Sequence, residues 1–126
     1  MHKSIKNFES INSEISKKVK ENIFPKIIAV SKTFKIPDIL PLIDYGHLDF
    51  GENKVQEAIE KWQDLKLNYP KINLHLIGRL QTNKVKLAVK LFDYIHSVDS
   101  EKLAKKIYEE QLKQKKVIKI KWFVSI

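Results

Sequence analysis

Short apolar runs rich in β-branched residues alternate along this chain with segments whose apolar residues recur every three or four positions, and that alternation constrains the fold more than any other feature. The first kind reads as buried strand and the second as one face of a helix. Strands that alternate with helices at intervals of about twenty-odd residues pair in parallel, because each helix must carry the chain back to the edge where the previous strand began. The pattern therefore predicts repeated βα units. Two architectures satisfy it. A doubly wound open sheet covers both faces with helices, whereas a (β/α) barrel puts every helix outside and fills the inside with strand side chains.

The predicted elements follow in order. Ile5, Phe8, Ile11, Ile15 and Val19 mark a leading helix, and Lys26 to Lys32 a first strand. Pro37 suits the first position of the next helix, Ile39, Leu40 and Ile43 form its stripe, and Gly46 stops it. Pro41 forfeits a backbone hydrogen bond there, so a short or kinked element is expected. His47 to Gly51 is a weaker strand, followed by Asn53 as N-cap with Gln56 completing a capping box, and by a helix that buries Val55, Ala58, Ile59, Trp62 and Leu65. Ile72 to Ile77 is the third strand. Thr82 or Asn83 caps a helix with Val85, Ala88, Val89 and Leu91 on its buried side. Asp93 to Val98 is the fourth strand, and Asp99 or Ser100 caps a helix burying Leu103, Ala104, Ile107, Tyr108 and Leu112. Val117 to Ile126 reads as a fifth strand.

Composition narrows the function classes. With 126 residues the chain suits one domain with a real core and is too short for two. Its 43% hydrophobic and 31% charged residues give a globular balance, so the chain is expected to fold. The absence of cysteine excludes disulfides, thiolate metal sites and thiol nucleophiles, and points to a reducing cytoplasm. Met1 to Glu21 lacks the apolar centre of a signal peptide, and no apolar run approaches the ~20 residues that span a bilayer, so no membrane partner is expected. A net charge of +9 would suit a phosphate backbone, yet Arg79 is the only arginine and the lysines are spread along the whole chain. They read as solvated faces, and no nucleic-acid partner is expected.

In both architectures the functional rim lies where the strands end. It holds Ser31 and Lys32, then Gly51, Glu52 and Asn53, then Gly78 to Asn83, then Ser97 to Ser100. A lysine at the mouth of an apolar strand loses hydration, and its amine becomes a nucleophile toward an aldehyde. Taken alone, however, Lys32 in so lysine-rich a chain reads as a solvated cation. Asn53 reads as a helix cap and Glu52 as a favourable charge near a helix start. His75 alternates with Leu74 and Leu76, so it faces either the helix layer or the opposite side of the sheet and is expected to be a satisfied core histidine. His47 and His96 show no close metal spacing, and neither a metal site nor a catalytic pair is assigned. The stretch from Leu76 to Lys84 could receive an anion at a helix N-terminus but carries neither a dinucleotide fingerprint nor a P-loop.

Read together, Ala29-Val30-Ser31-Lys32-Thr33, Asp49-Phe50-Gly51-Glu52-Asn53, His75-Leu76-Ile77-Gly78 with Leu80-Gln81-Thr82-Asn83-Lys84, and Ile95-His96-Ser97-Val98-Asp99 closely resemble the pyridoxal phosphate homeostasis proteins, also called proline synthase co-transcribed homologues. The similarity runs from the leading helix to about Glu110. The resemblance implies an α/β fold, an alanine-racemase-like (β/α) TIM-type barrel, with pyridoxal 5′-phosphate held as a Schiff base on Lys32. It implies that Asn53 lines the cofactor pocket, and that His75 and Ser97 lie near the same mouth. It further implies a carrier and regulator of the vitamin B6 pool and not an enzyme. The alternatives are a racemase-like enzyme of the same fold, which would need two acid-base groups on opposite faces of the cofactor, or a fragment without function.

The family continues through further strands and later loops with a phosphate cradle, so residues 1–126 are expected to form a single incomplete barrel of about five parallel strands. Its inner face is expected to be apolar and its edge strands unpaired, which would make the chain unstable alone or prone to self-association, where full-length relatives would be monomers.

Overall fold

The computed structural model describes residues 2–19 and 25–122, with the side chains of 121 and 122 left aside. Helix α1 (Lys3–Lys18) leads, and four βα units follow: β1 (Ala29–Val30) with α2 (Ile36–Tyr45), β2 (Asp49–Glu52) with α3 (Val55–Asn68), β3 (Asn73–Leu76) with α4 (Val85–Leu91), and β4 (Tyr94–Val98) with α5 (Glu101–Gln114). Strand β5 (Lys119–Trp122) completes the described sheet. The expected reach of that strand to Ile126 lies partly outside the described residues.

All neighbouring strands are parallel and lie in the order β1-β2-β3-β4-β5. That order decides between the two architectures. A doubly wound sheet reverses its strand order at a switch point, whereas a barrel adds each strand beside the last. Helix α1 packs on α2, α3 on α4 and α4 on α5, so the helices follow one another over a single face, as a barrel's outer layer does. The fold is the α/β, barrel-type arrangement of five parallel strands and outer helices that the sequence led us to expect.

The core lies between that helix layer and one face of the sheet. Phe50, Leu74, Leu76, Ile95 and Val98 are fully buried from the strands, against Ala58, Trp62, Val85, Ala88 and Val89 from the helices. Phe50 and Trp62 meet with ring centroids 5.2 Å apart, tilted by 46°. Burying an aromatic side chain of this size stabilises by roughly 2–3 kcal/mol, so the pair is a principal anchor of α3 on β2.

Several local expectations change. Helix α2 runs through Pro41 for ten residues, giving up the one bond that an N–H at position 41 would have donated to the Pro37 carbonyl. It closes at Gly46, whose φ of 106° permits paired bonds from Gly46 N to Ile43 O and from His47 N to Leu42 O. The box of Asn53 and Gln56 does not form: Lys54 is the N-cap of α3 and makes no side-chain cap bond, while Gln56 reaches Glu60. Neither Thr82 nor Asn83 caps α4, since residues Thr82–Lys84 wind as a 3-10 turn that feeds straight into the helix. Ser100 does cap α5, accepting from Leu103 N at 3.1 Å. Tyr108 and Leu112 are exposed, and of α5 only Leu103 and Ile107 are buried. Helix α1 buries no residue completely, although Ile5 and Phe8 lean on the core.

Candidate functional site

The ladder between β1 and β2 extends to Ser31, whose N–H donates to Gly51 O at 2.9 Å. One residue later the chain turns. Phe34 N–H donates back to Ser31 O at 3.1 Å, placing Lys32 and Thr33 at the corner, with Thr33 at a φ of 66°. Ser31 is buried toward the helices, so by alternation Val30 falls on the opposite, inner side of the sheet, while Lys32 follows in the turn and is exposed. Counting along the register, Val30, Gly51, His75 and Tyr94 form one inner row, and Lys32, Asn53, Ile77 and His96 each follow a member of it by two residues along the chain.

The turn is held from below. Glu52 is fully buried on the helix side, and its carboxylate accepts from Ser31 Oγ at 2.5 Å, Trp62 Nε1 at 3.0 Å and Lys61 Nζ at 3.0 Å. A carboxylate this deep survives only with such a complete set of donors. Lys61 also donates to Ser31 O at 2.6 Å, and Glu57 accepts from Thr33 N at 2.6 Å. That Thr33 bond is the main influence holding the Glu57 carboxyl below the usual carboxylate range; burial opposes it next in strength, and the Lys61 charge adds to it.

Asn53 is half-buried at the bend between β2 and α3. The loop after β3 presses on it: a Cβ added to Gly78 would collide with the Asn53 carbonyl oxygen and lie 3.0 Å from its Cα. Glycine at position 78 is therefore what lets the two loops close over each other.

His75 is 1% exposed and sits on the inner face. Its Nε2 lies 2.9 Å from Asp49 Oδ1 and its Nδ1 lies 3.0 Å from His96 Nε2. Burial lowers its pKa from the ordinary histidine value, with the Asp49 hydrogen bond opposing, so the ring is neutral at pH 7. A neutral ring has one N–H; given to Asp49, it leaves Nδ1 to accept from His96 Nε2–H. The ring also stacks on Tyr94, centroids 4.2 Å apart and 12° from parallel. Lys26 and Lys119 both donate to the Tyr94 hydroxyl, at 3.4 and 3.2 Å.

Ser97 lies half-buried beside His96, with a φ of 65°, at the point where the β4 to β5 register shifts. Thus Lys32 follows the end of β1 and Asn53 the end of β2, Ser97 is the last but one residue of β4, and His75 lies within β3. Among the described residues no hydrogen bond joins Lys32, Asn53, His75 and Ser97 to one another.

Matched against known proteins, the chain is 43% identical over 102 residues to the pyridoxal phosphate homeostasis protein of Buchnera aphidicola subsp. Schizaphis graminum, a match spanning 78% of this chain and 44% of that protein. The protein of the same name from Synechocystis sp. is 43% identical over 98 residues, with the same shares of the two chains covered. Over this stretch the chain belongs to the pyridoxal phosphate homeostasis protein family. It spans about half the length of the relatives it matches, 44% in both of these. Among solved structures it resembles PipY of Synechococcus elongatus PCC7942, without PLP at a TM-score of 0.80 and 36% identity, and with PLP bound at 0.79 and 35%. The PLP-free match covers 91% of this chain and 50% of PipY. No protein-family model matches.

In this member of the pyridoxal phosphate homeostasis family the inner face is not the apolar surface expected of a barrel interior. Asp49, Asn73, His75, Tyr94 and His96 line it beside Ile28, Val30 and Ile77, because cross-strand hydrogen bonds satisfy polar side chains where no helix layer demands apolar ones. Sequence reasoning gave Asp49, Tyr94 and Lys26 no individual role, treated Glu52 as a helix-start charge and assigned His96 to no metal site. The opposite phase of Asp49 and Gly51 against Phe50 and Glu52 was the available sign. Which of Asp49 and Glu52 faced the helices could not be read from it.

Proposed function

We propose that this chain binds pyridoxal 5′-phosphate covalently through Lys32, in a cytoplasmic, non-catalytic role in holding and supplying vitamin B6. The observation that carries the reading is the placement of Lys32 at the end of β1, in the turn that follows the last β1 to β2 ladder bond at Ser31. Similarity to homeostasis proteins and to PipY, which has been solved with PLP bound, supports it. When bound, the cofactor supplies an aldehyde carbon that condenses with a lysine amine.

The residues at the rim suit such a ligand. Lys32 is exposed, so its amine is open to a ligand. Asn53 offers a polar side chain just past the end of β2, and Ser97 one near the end of β4. His75 acts from beneath: neutral and fixed by Asp49, it orients His96 at the rim. On this reading residues 1–126 form one barrel unit, and neither nucleic acid nor membrane is a partner. No described helix is long and apolar enough to cross a membrane.

The test is direct. The chain is mixed with pyridoxal phosphate, followed for the visible band of a lysine adduct, reduced with borohydride and mapped by mass spectrometry. The reading expects the adduct on Lys32 and its disappearance in Lys32→Ala. Label scattered evenly over the many lysines would overturn it.

A further inference from the structure

We propose that Glu52, Glu57 and Lys61 are positioning residues for Lys32: they grip the backbone immediately before and after it and so fix the turn that presents its amine. The inference rests on the reading of Lys32 as cofactor anchor and extends it to three residues that reading leaves unassigned.

Lys32 is exposed, and an exposed lysine on a loose loop would spread its amine over many positions. Covalent capture is faster when the reacting group is already in place, because the orientational entropy has been lost on folding and not at the encounter. The chain restrains Lys32 through its neighbours. On one side, Ser31 is tied twice, by Oγ to Glu52 and by its carbonyl oxygen to Lys61 Nζ. On the other side, Thr33 N–H donates to Glu57. Lys61 joins the halves, standing 3.0 Å from Glu52 and 3.5 Å from Glu57. Every tether comes from β2 or α3, the elements that also deliver Asn53, so the clamp sets Lys32 relative to the neighbouring rim residue.

Thr33 makes the need for an external hold plain. A φ of 66° is disfavoured for a β-branched residue, and Thr33 is neither Gly nor Asn, so the turn does not hold itself by local preference. A charge-assisted bond from its amide offsets that cost. Glu57 also separates positioning from plain packing. Glu52, Lys61 and Trp62 help to dock α3 on β2, whereas the Glu57 side chain is 32% exposed and its bond to Thr33 adds nothing to the core.

The experiment therefore centres on Glu57→Ala and Glu57→Gln in the full chain, with Lys61→Met as a second site. Without cofactor, the Thr33 amide is expected to exchange with solvent roughly tenfold faster in Glu57→Ala than in wild type, the scale of one lost hydrogen bond, with the bond partly kept in Glu57→Gln. With pyridoxal phosphate and borohydride, the share of adduct on Lys32 relative to other lysines is expected to fall in Glu57→Ala and recover in Glu57→Gln, with the melting temperature little changed. Unchanged Thr33 exchange, or an unchanged Lys32 share in a folded Glu57→Ala, overturns the clamp. A wild-type adduct that avoids Lys32 overturns the cofactor reading instead, and the exchange measurement still decides whether Glu57 holds the turn.

Discussion

Lys61 donates to the carbonyl oxygen of Ser31 at 2.6 Å, so a helix side chain grips the backbone one residue before Lys32. The same ammonium stands against Glu52, which is wholly buried, while the Lys61 side chain is only 9% exposed. Removing one member of such a pair leaves the other charged and unpaired in the interior. Lys61→Met is expected to cost about 3–5 kcal/mol in urea unfolding, and Lys61→Met with Glu52→Leu less than the single change. A double variant as unstable as the sum of the two singles would show that the pair is not coupled.

Gly78 faces the backbone of Asn53 so closely that a methyl group cannot be placed without moving one of the two loops. Gly78→Ala is expected to lower stability by about 1–3 kcal/mol, the usual cost of forcing atoms into a packed site. A melting temperature equal to wild type would contradict the close approach.

Acid should loosen the fold through two histidines. His75 and His47 both have pKa values below the ordinary 6.5, in each case chiefly because burial disfavours the charged ring. The unfolded chain then takes up protons that the folded one excludes, so their contribution is complete above about pH 6.5 and falls as pH drops toward their folded values. Unfolding free energies measured between pH 7.5 and 5 are expected to decline, and the slope to shrink in His75→Gln. A flat profile would mean that both rings protonate freely in the fold.

Tyr94 should ionise below the ordinary tyrosine range. The hydrogen bond from Lys119 lowers its pKa most, helped by Lys26 and opposed by partial burial. Ultraviolet absorbance is expected to show a phenolate forming below the ordinary value of 10, a step that vanishes in Tyr94→Phe and moves upward in Lys119→Met. A difference curve between wild type and Tyr94→Phe that rises only at or above that value would place the lysines away from the ring.

The order of elements was legible because it depends on local period. Val55, Ala58, Trp62 and Leu65 repeat at helical spacing, and all four are buried in α3. Strand limits were less legible: the run from Lys26 to Lys32 looked continuous, yet only Ala29–Val30 form ladder, with Ser31 adding one bond. Pairing geometry ends a strand, and the apolar run does not encode it. The caps divided similarly. Ser100 capped its helix as its chemistry suggests, while Asn53 is held at the Gly78 contact, which lies 25 residues away and leaves no trace in local sequence.

The sequence by itself determined the repeating βα units, the parallel sheet and the four motifs whose residues gather along one edge of it, because strand and helix periods and turn chemistry act over a few residues. Only the tertiary structure decided that the strands lie in sequential order, that Glu52 turns inward to the helices while Asp49 turns to the opposite face, and that Lys32 is gripped on both sides by β2 and α3. Those choices depend on which face of each strand meets a partner from another unit, and hydrogen bonds between residues some twenty to thirty positions apart set them.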